Sequence, residues 1–565
     1  MRLWPLACLT TVLSACSGNV RDTTPDAGHP APAIDVPEVA HPQGETAAWW
    51  YRSGAARAAG NGAMRGRAKN VILFLGDGMS LTTVAAARIL DGQRKGQPGE
   101  ENQLAWETFP STALSKTYNT DSQTPDSAGT MSAITTGVKT FMGSISIGPA
   151  SHADDCTGSL HNQNLTWLEL AESAGMATGI VSTARLTHAT PAATYAHVPS
   201  RGWENDSDLP PDAVQQGCRD IARQFVESRF GMGPTVALGG GRAEFMPTNT
   251  ADPGTPARHG SRKDGRDLVA EWQAAHPQGA YAWNTRQLQA AADAPQLFGL
   301  FDRDHMAFDH DRDTTPGGEP GLAEMTRAAI RTLSRNTDGY VLMVEGARID
   351  MANHSGNAFR ALDETIAMSR AVQAAIDATS ADDTLIIVTA DHSHTLNFVG
   401  YPVRGNPILG KVRGRNSFDG SPGDLAKDGT GLPYTTLGYA NGPGYTGASD
   451  SQPAGSKRYP HKTKGYKPSQ GRPDLTRVDT EDPDYMQEST VPLSDESHGG
   501  EDVGIWARGP GSEAVRGTIE QNVIYHLIVQ ATPKLRERLC AAGTCNGDGV
   551  PVELPKLESF LPAPR

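Results

Sequence analysis

Positive charge is in deficit in this chain. Against 64 Asp and Glu stand 50 Lys and Arg, a formal net charge of -14, and no basic tail collects the cations that are present. That balance argues against nucleic acid as the main partner. An anionic substrate would need local positive charge to hold it. The apolar run at residues 3–13 is too short to span a bilayer as a mature helix. Cysteine is sparse, six residues in 565, and the spacing fits no zinc knuckle. Glycine and proline, by contrast, number 61 and 39, so much of the chain must be loop. Their densest tract, about 402–475, reads as one long insertion. With 38% hydrophobic residues the chain can bury a large core. Length alone points to three or four domains, although large α/β enzymes hold as much in one.

Met1-Arg2 followed by the apolar run has the charge and length of a secretory signal, expected to be removed as residues 1–15. Its end, Leu13-Ser-Ala-Cys16, resembles the bacterial lipoprotein signal, which implies cleavage before Cys16 and acylation of that cysteine. Ser17 at the next position resembles the pattern of lipoproteins sorted to an outer membrane. The expected location is therefore exported and lipid-anchored, facing the periplasm or the cell surface. Residues 16–42, rich in Pro and Ala, read as the lipidated N-terminus and a flexible tether. Cys8 leaves with the signal. Cys156, Cys218, Cys540 and Cys545 remain, and four thiols in an exported chain point to two disulfides among three connectivities. The short Cys540 to Cys545 interval favours local pairing.

The stretch Thr124-Pro-Asp-Ser-Ala-Gly-Thr-Met-Ser-Ala-Ile-Thr-Thr-Gly137 places one hydroxyl at the mouth of a helix of small residues. Pro125 and Asp126 mark its start and Gly137 its stop. The free N–H groups and positive dipole end of such a first turn would face Ser127 and a phosphate on it. Alone, the stretch reads sooner as an ordinary N-cap serine; the rest of the chain turns the reading to a nucleophile.

Residues 71–75 form a short apolar run cut by Gly76-Asp77-Gly78, with a helix expected over 81–90. The arrangement recurs. Residues 340–344 read as a strand ending at Glu345, and residues 384–389 as one ending at Asp391-His392. Residues 179–182 follow a helix expected at 167–173 and lead into Thr187-His188-Ala-Thr190. Continuous apolar strands alternating with helices predict an α/β fold, a large central and mostly parallel sheet with helices on both faces. Ligands in such sheets bind beyond the carboxyl ends of the strands, where these polar residues fall. Asp350 and His354, spaced i, i+4, share one side of a helix. His498 precedes the apolar segment 503–507. Carboxylate and imidazole donors without thiolate suit zinc in an open site, and Asp, Glu and Thr oxygens suit magnesium.

Together these motifs resemble the alkaline phosphatase family from about Trp49 to Cys545. The resemblance is carried by Val344-Glu-Gly-Ala-Arg-Ile-Asp350, Thr389-Ala-Asp-His-Ser-His394, Ser497-His-Gly-Gly-Glu-Asp502 and Thr187-His-Ala-Thr-Pro-Ala192, closer to the animal-type branch. It implies a domain over 43–545 with a crown-like insertion at about 402–475, leaving 546–565 as a tail. It implies two zinc ions, one on Asp350, His354 and His498, the other on Asp77, Asp391 and His392 with Ser127 in reach. One magnesium ion would sit on Asp77, Glu345 and Thr190, with His188 beside it. Arg201 matches the arginine that forks onto two phosphate oxygens. The implied reaction is hydrolysis of phosphate monoesters of broad leaving-group range through a phosphoserine at Ser127, in a homodimer. Disulfides Cys156–Cys218 and Cys540–Cys545 follow from the same resemblance. Trp49-Trp50-Tyr51 resembles an N-terminal helix that embraces the partner subunit.

Three features depart from this pattern or extend past it. Where the family carries a lysine or histidine after Asp350, this chain has Met351, whose thioether donates no hydrogen bond. Phe301-Asp302 resembles part of a calcium site, and the resemblance does not place its other ligands. The insertion aligns poorly and reads as a solvated, mobile loop, with a structured return over 434–445. Competing functions are a sulfatase or phosphodiesterase of the same superfamily, and a surface lipoprotein that binds phosphate or metal without turnover.

Overall fold

The computed structural model describes residue 34, residues 44–416 and residues 420–562. The signal, Cys16 and most of the tether lie outside the described residues. By contacts the chain divides into residues 1–35 and 36–565, and every element below belongs to the second unit.

Ten strands make the main sheet: β1 (Asn70–Gly76), β2 (Ser111–Lys116), β3 (Ala177–Arg185), β4 (Val236–Gly240), β5 (Ala280–Ala282), β6 (Leu297–Leu300), β7 (Tyr340–Gly346), β8 (Thr384–Ala390), β9 (Val503–Arg508) and β10 (Gly517–Glu520). Their order is β10-β2-β9-β8-β1-β7-β3-β4-β6-β5. All neighbours pair in parallel except β9, which runs antiparallel to both β2 and β8. The central strands β1, β3, β4, β6, β7 and β8 are buried on both faces almost throughout, which is why they read as largely apolar runs. Along β1 the side chains alternate between two cores: Val71, Leu73 and Leu75 enter one, Ile72 and Phe74 the other.

The helices that matter here are α1 (Ala47–Asn61), α2 (Leu81–Arg94), α3 (Ser127–Thr136), α4 (Trp167–Ser173), α5 (Ala189–Ala192), α6 (Leu322–Leu333), α7 (Arg348–His354), α8 (Ala358–Ala378) and α9 (Val523–Ala531). Residues of α1, α3, α4 and α9 pack in the first core, and those of α2, α6 and α8 in the second. Each burial of a Leu or Ile against the sheet contributes about 1.5–3 kcal/mol, so helices on both faces fix the sheet and thereby the ends of its strands.

The structure corrects three expectations. Trp50 and Tyr51 do not await a partner subunit as exposed aromatics; both are buried in their own chain, Tyr51 against Tyr525 and His526 of α9. The tract at 402–475 is not simply a solvated loop. Arg413–Arg415 pairs with Pro422–Leu425, and Leu437–Gly442 joins Leu396–Phe398 and Ser489–Pro492 in a three-stranded sheet. Buried Ile408, Leu409, Val412 and Leu475 hold this tract in place; the glycine and proline around them mask that apolar content. The expected return is the strand Leu437–Gly442. Beyond Cys545, Val550, Val552, Leu557 and Phe560 are buried, so the segment set outside the domain packs onto it. Both disulfides, Cys156–Cys218 and Cys540–Cys545, are formed.

Candidate metal centre and nucleophile

Three adjacent parallel strands build the centre. β8, β1 and β7 lie side by side in register, with Leu75 opposite both Glu345 and Thr389. Their carboxyl ends therefore deliver Asp77, Glu345 and Asp391 to one place. The turn after β8 is held by Asp391 Oδ1, which accepts from the backbone N–H of Gly78 at 3.0 Å and of His392 at 2.9 Å. That turn lets Asp391 and His392, adjacent in sequence, face the same site.

Ser127 opens α3. The N-cap is not Ser127 but Asp126, whose carboxylate accepts from Gly129 N at 3.1 Å, and Gly137 closes the helix at φ 77°. Freed from capping, Ser127 Oγ lies 3.1 Å from His392 Nε2 and 3.4 Å from Asp77 Oδ1. Asp126 also fixes Arg201: Nη1 donates to Asp126 Oδ2 at 3.0 Å, and Nη2 meets His188 Nε2 at 3.0 Å. The Arg201 side chain keeps 30% of its surface exposed while Ser127 is 1% exposed.

The expected ligand sets come together. His354 Nε2 is 3.2 Å from Asp350 Oδ1, and His498 Nε2 is 3.4 Å from that oxygen and 3.1 Å from His354 Nε2. His392 Nε2 lies 3.4 Å from Asp77 Oδ1 and 3.3 Å from Asp391 Oδ2. Asp77, His188 and Glu345 form another group able to share an ion. The donor set fits resident cations. Asp77 Oδ2, Glu345 Oε1, Thr190 Oγ1 and His188 Nδ1 are all buried without a hydrogen-bond partner, a costly state for polar atoms that no protein group satisfies. Burial, then neighbouring carboxylates, pushes Asp77 well above the usual carboxylate range and Asp391 up to about 6. Burial pushes Glu345 up to about 8. Multiple carboxylates crowded out of water call for positive charge between them.

The sequence reading missed two residues. His394 bridges Asp350 Oδ1 at 2.7 Å and Glu496 Oε2 at 2.5 Å, and Glu496 Oε1 accepts from Thr395 N at 2.6 Å. The antiparallel pairing of Ser393–His394 with His498–Gly499 brings these segments together. A signal existed: His392 and His394 are spaced i, i+2, as are Glu496 and His498. Met351 Sδ accepts from Arg348 Nη1 at 2.9 Å, and that guanidinium lies 3.7 Å over the Phe308 ring. Among the described residues, no group able to hold an ion includes Asp302.

Known proteins match this arrangement. A family model described as alkaline phosphatase covers residues 68–533. Alkaline phosphatase of Gadus morhua is 41% identical over 83% of this chain and 92% of its own length. The tissue-nonspecific isozyme of Gallus gallus is 42% identical over 82% of this chain and 84% of its own. Among solved structures, alkaline phosphatase of Thermus thermophilus superposes with a TM-score of 0.57 at 24% identity, covering 85% of this chain and 96% of that one. That of the Antarctic bacterium TAB5 superposes with 0.54 at 21%, covering 83% and 99%. The fold, the gathered donors and the likeness across most of the chain agree: the chain belongs to the alkaline phosphatase family, as a phosphomonoesterase.

Proposed function

We propose that the chain hydrolyses phosphate monoesters to an alcohol and inorganic phosphate through a phosphoserine at Ser127, with two zinc ions and one magnesium ion per subunit. The observation that carries this reading is Ser127 Oγ within 3.4 Å of both Asp77 and His392, beside Arg201. One zinc is assigned to Asp350, His354 and His498, the other to Asp77, Asp391 and His392. Magnesium is assigned to Asp77, Glu345 and Thr190, with His188 beside it.

When bound, the ions supply Lewis-acid charge that lowers the pKa of the serine hydroxyl and neutralises phosphoryl oxygens. The chain does the rest. Arg201, held by Asp126, donates two N–H groups to nonbridging oxygens, and the dipole of α3 points its positive end at the same group. Ser127 loses its proton and its oxygen bonds to phosphorus. The ester oxygen leaves opposite with the bonding pair and is protonated. Water then attacks phosphorus, Ser127 Oγ leaves and regains a proton, and phosphate departs. Both transition states place negative charge where Arg201 and the helix dipole already point.

The test is hydrolysis of an aryl phosphate, a diester and an aryl sulfate before and after EDTA, and after zinc and magnesium are restored. Monoester preference that falls with EDTA and returns with metal is expected. Preference for the diester or the sulfate overturns the reading. We further assign acylation at Cys16 with an outer-membrane address, and a homodimer. Radiolabelled fatty acid lost on Cys16→Ser and sedimentation of the mature protein check the two.

A further inference from the structure

A second cavity, about 330 Å³, shares no lining residue with the metal centre. One face of α4 supplies Leu168, Glu169 and Glu172, and Phe230 and Leu557 supply more apolar wall. Its volume lies within the range of small-molecule sites.

Most of its charges are already spoken for. Glu169 accepts from Thr166 N at 2.9 Å and meets His197 Nε2 at 2.8 Å. Glu227 pairs with Arg219, Arg223 and Arg266. Arg229 and Glu558, of opposite sign, are exposed at the rim. Glu172 differs: among the described residues its carboxylate accepts from the Thr178 hydroxyl alone, and no cation lies within ion-pair distance. Burial pushes its carboxyl up to about 8. The loop facing it is cut away to backbone, since a Cβ on Gly231, at φ +53°, would fall 2.5 Å from Glu172 Oε2.

We propose that this cavity binds a hydrophobic primary amine, its ammonium on Glu172 and its apolar body against Leu168, Phe230 and Leu557. The ligand supplies the charge the carboxylate lacks. The cavity wall also reaches the phosphate-holding segment. His197 meets Ser146 O at 3.2 Å, Ile145 and Val198 exchange backbone bonds, and Arg201 N donates to Gly143 O at 2.7 Å. These bonds tie residues 143–146 to 197–201, so occupancy is expected to be coupled to Arg201.

Calorimetric titration of the zinc- and magnesium-loaded protein, saturated with inorganic phosphate, with 2-phenylethylamine and with 2-phenylethanol tests this. One saturable site is expected, preferring the amine by about tenfold or more. Glu172→Gln should erase the preference, and Gly231→Ala, which crowds Oε2, should weaken amine binding. Equal affinity for amine and alcohol, no amine binding, or loss of binding under phosphate saturation overturns the proposal. Should Glu172→Gln fail to fold, the wild-type comparison and Gly231→Ala decide. Binding is read without turnover, so its failure leaves the catalytic reading intact; only the coupling to Arg201 rests on that reading.

Discussion

His394 bonds two carboxylates at once, Asp350 and Glu496. Burial alone would lower its pKa, but Glu496 and Asp350 outweigh burial and push it up to about 10. An imidazolium fixed between two carboxylates is a firm support for the ligand that depends on it. His394→Asn should therefore weaken zinc binding about 10–100-fold, measured by competition with a chromophoric chelator. Unchanged affinity would make His394 mere packing. Met351 is the other residue with a consequence. It occupies a position beside Asp350 with a sulfur that only accepts, and Arg348 donates to it. The chain should hold product phosphate weakly and relax its choice of the third ion. Met351→Lys and Met351→His should lower the phosphate inhibition constant and shift the response to added magnesium. If neither variant changes either quantity, the position is neutral.

The strands were legible because parallel strands buried on two faces must be apolar throughout, and glycine and aspartate cut them sharply. Residues 71–75, 340–344 and 384–389 each grew by only one or two residues in the structure. The helix at 167–173 appears as read, with Thr166 and Glu169 forming its capping box. Strand β9 gave no sign of its direction, because antiparallel and parallel pairing leave the same apolar run. His394 and Glu496 escaped notice because their role arises from two short strands 105 residues apart meeting at the site. Ser127 opens its helix with Asp126 as the N-cap, one position before the serine, since both residue types suit that place. The disulfides belong to this scale too. Cys156–Cys218 spans 62 residues and Cys540–Cys545 spans 5, so loop entropy predicts costs of about 4 and about 2 kcal/mol for removing each. Denaturant unfolding of the Cys156→Ser/Cys218→Ser and Cys540→Ser/Cys545→Ser variants should keep that order; equal costs would contradict it.

At the scale of the molecule, a chain of net charge -14 gathers four of its carboxylates, Asp77, Glu345, Asp350 and Asp391, buried at the middle of its sheet. Arg201 cannot offset them alone. Folding and metal binding are then linked, since ions that bind only the folded centre stabilise it by RT ln(1 + L/Kd) at free ion concentration L. Chelation should lower the melting temperature by several degrees, and zinc with magnesium should restore it; a melting temperature indifferent to EDTA would deny resident ions. The central claim is covalent and can be read directly. Protein turning over ³²P-labelled aryl phosphate is quenched in acid, digested, and its labelled peptide sequenced. The account predicts label on the peptide that carries Ser127 and none in Ser127→Ala. Label elsewhere, or full turnover by Ser127→Ala, would contradict it.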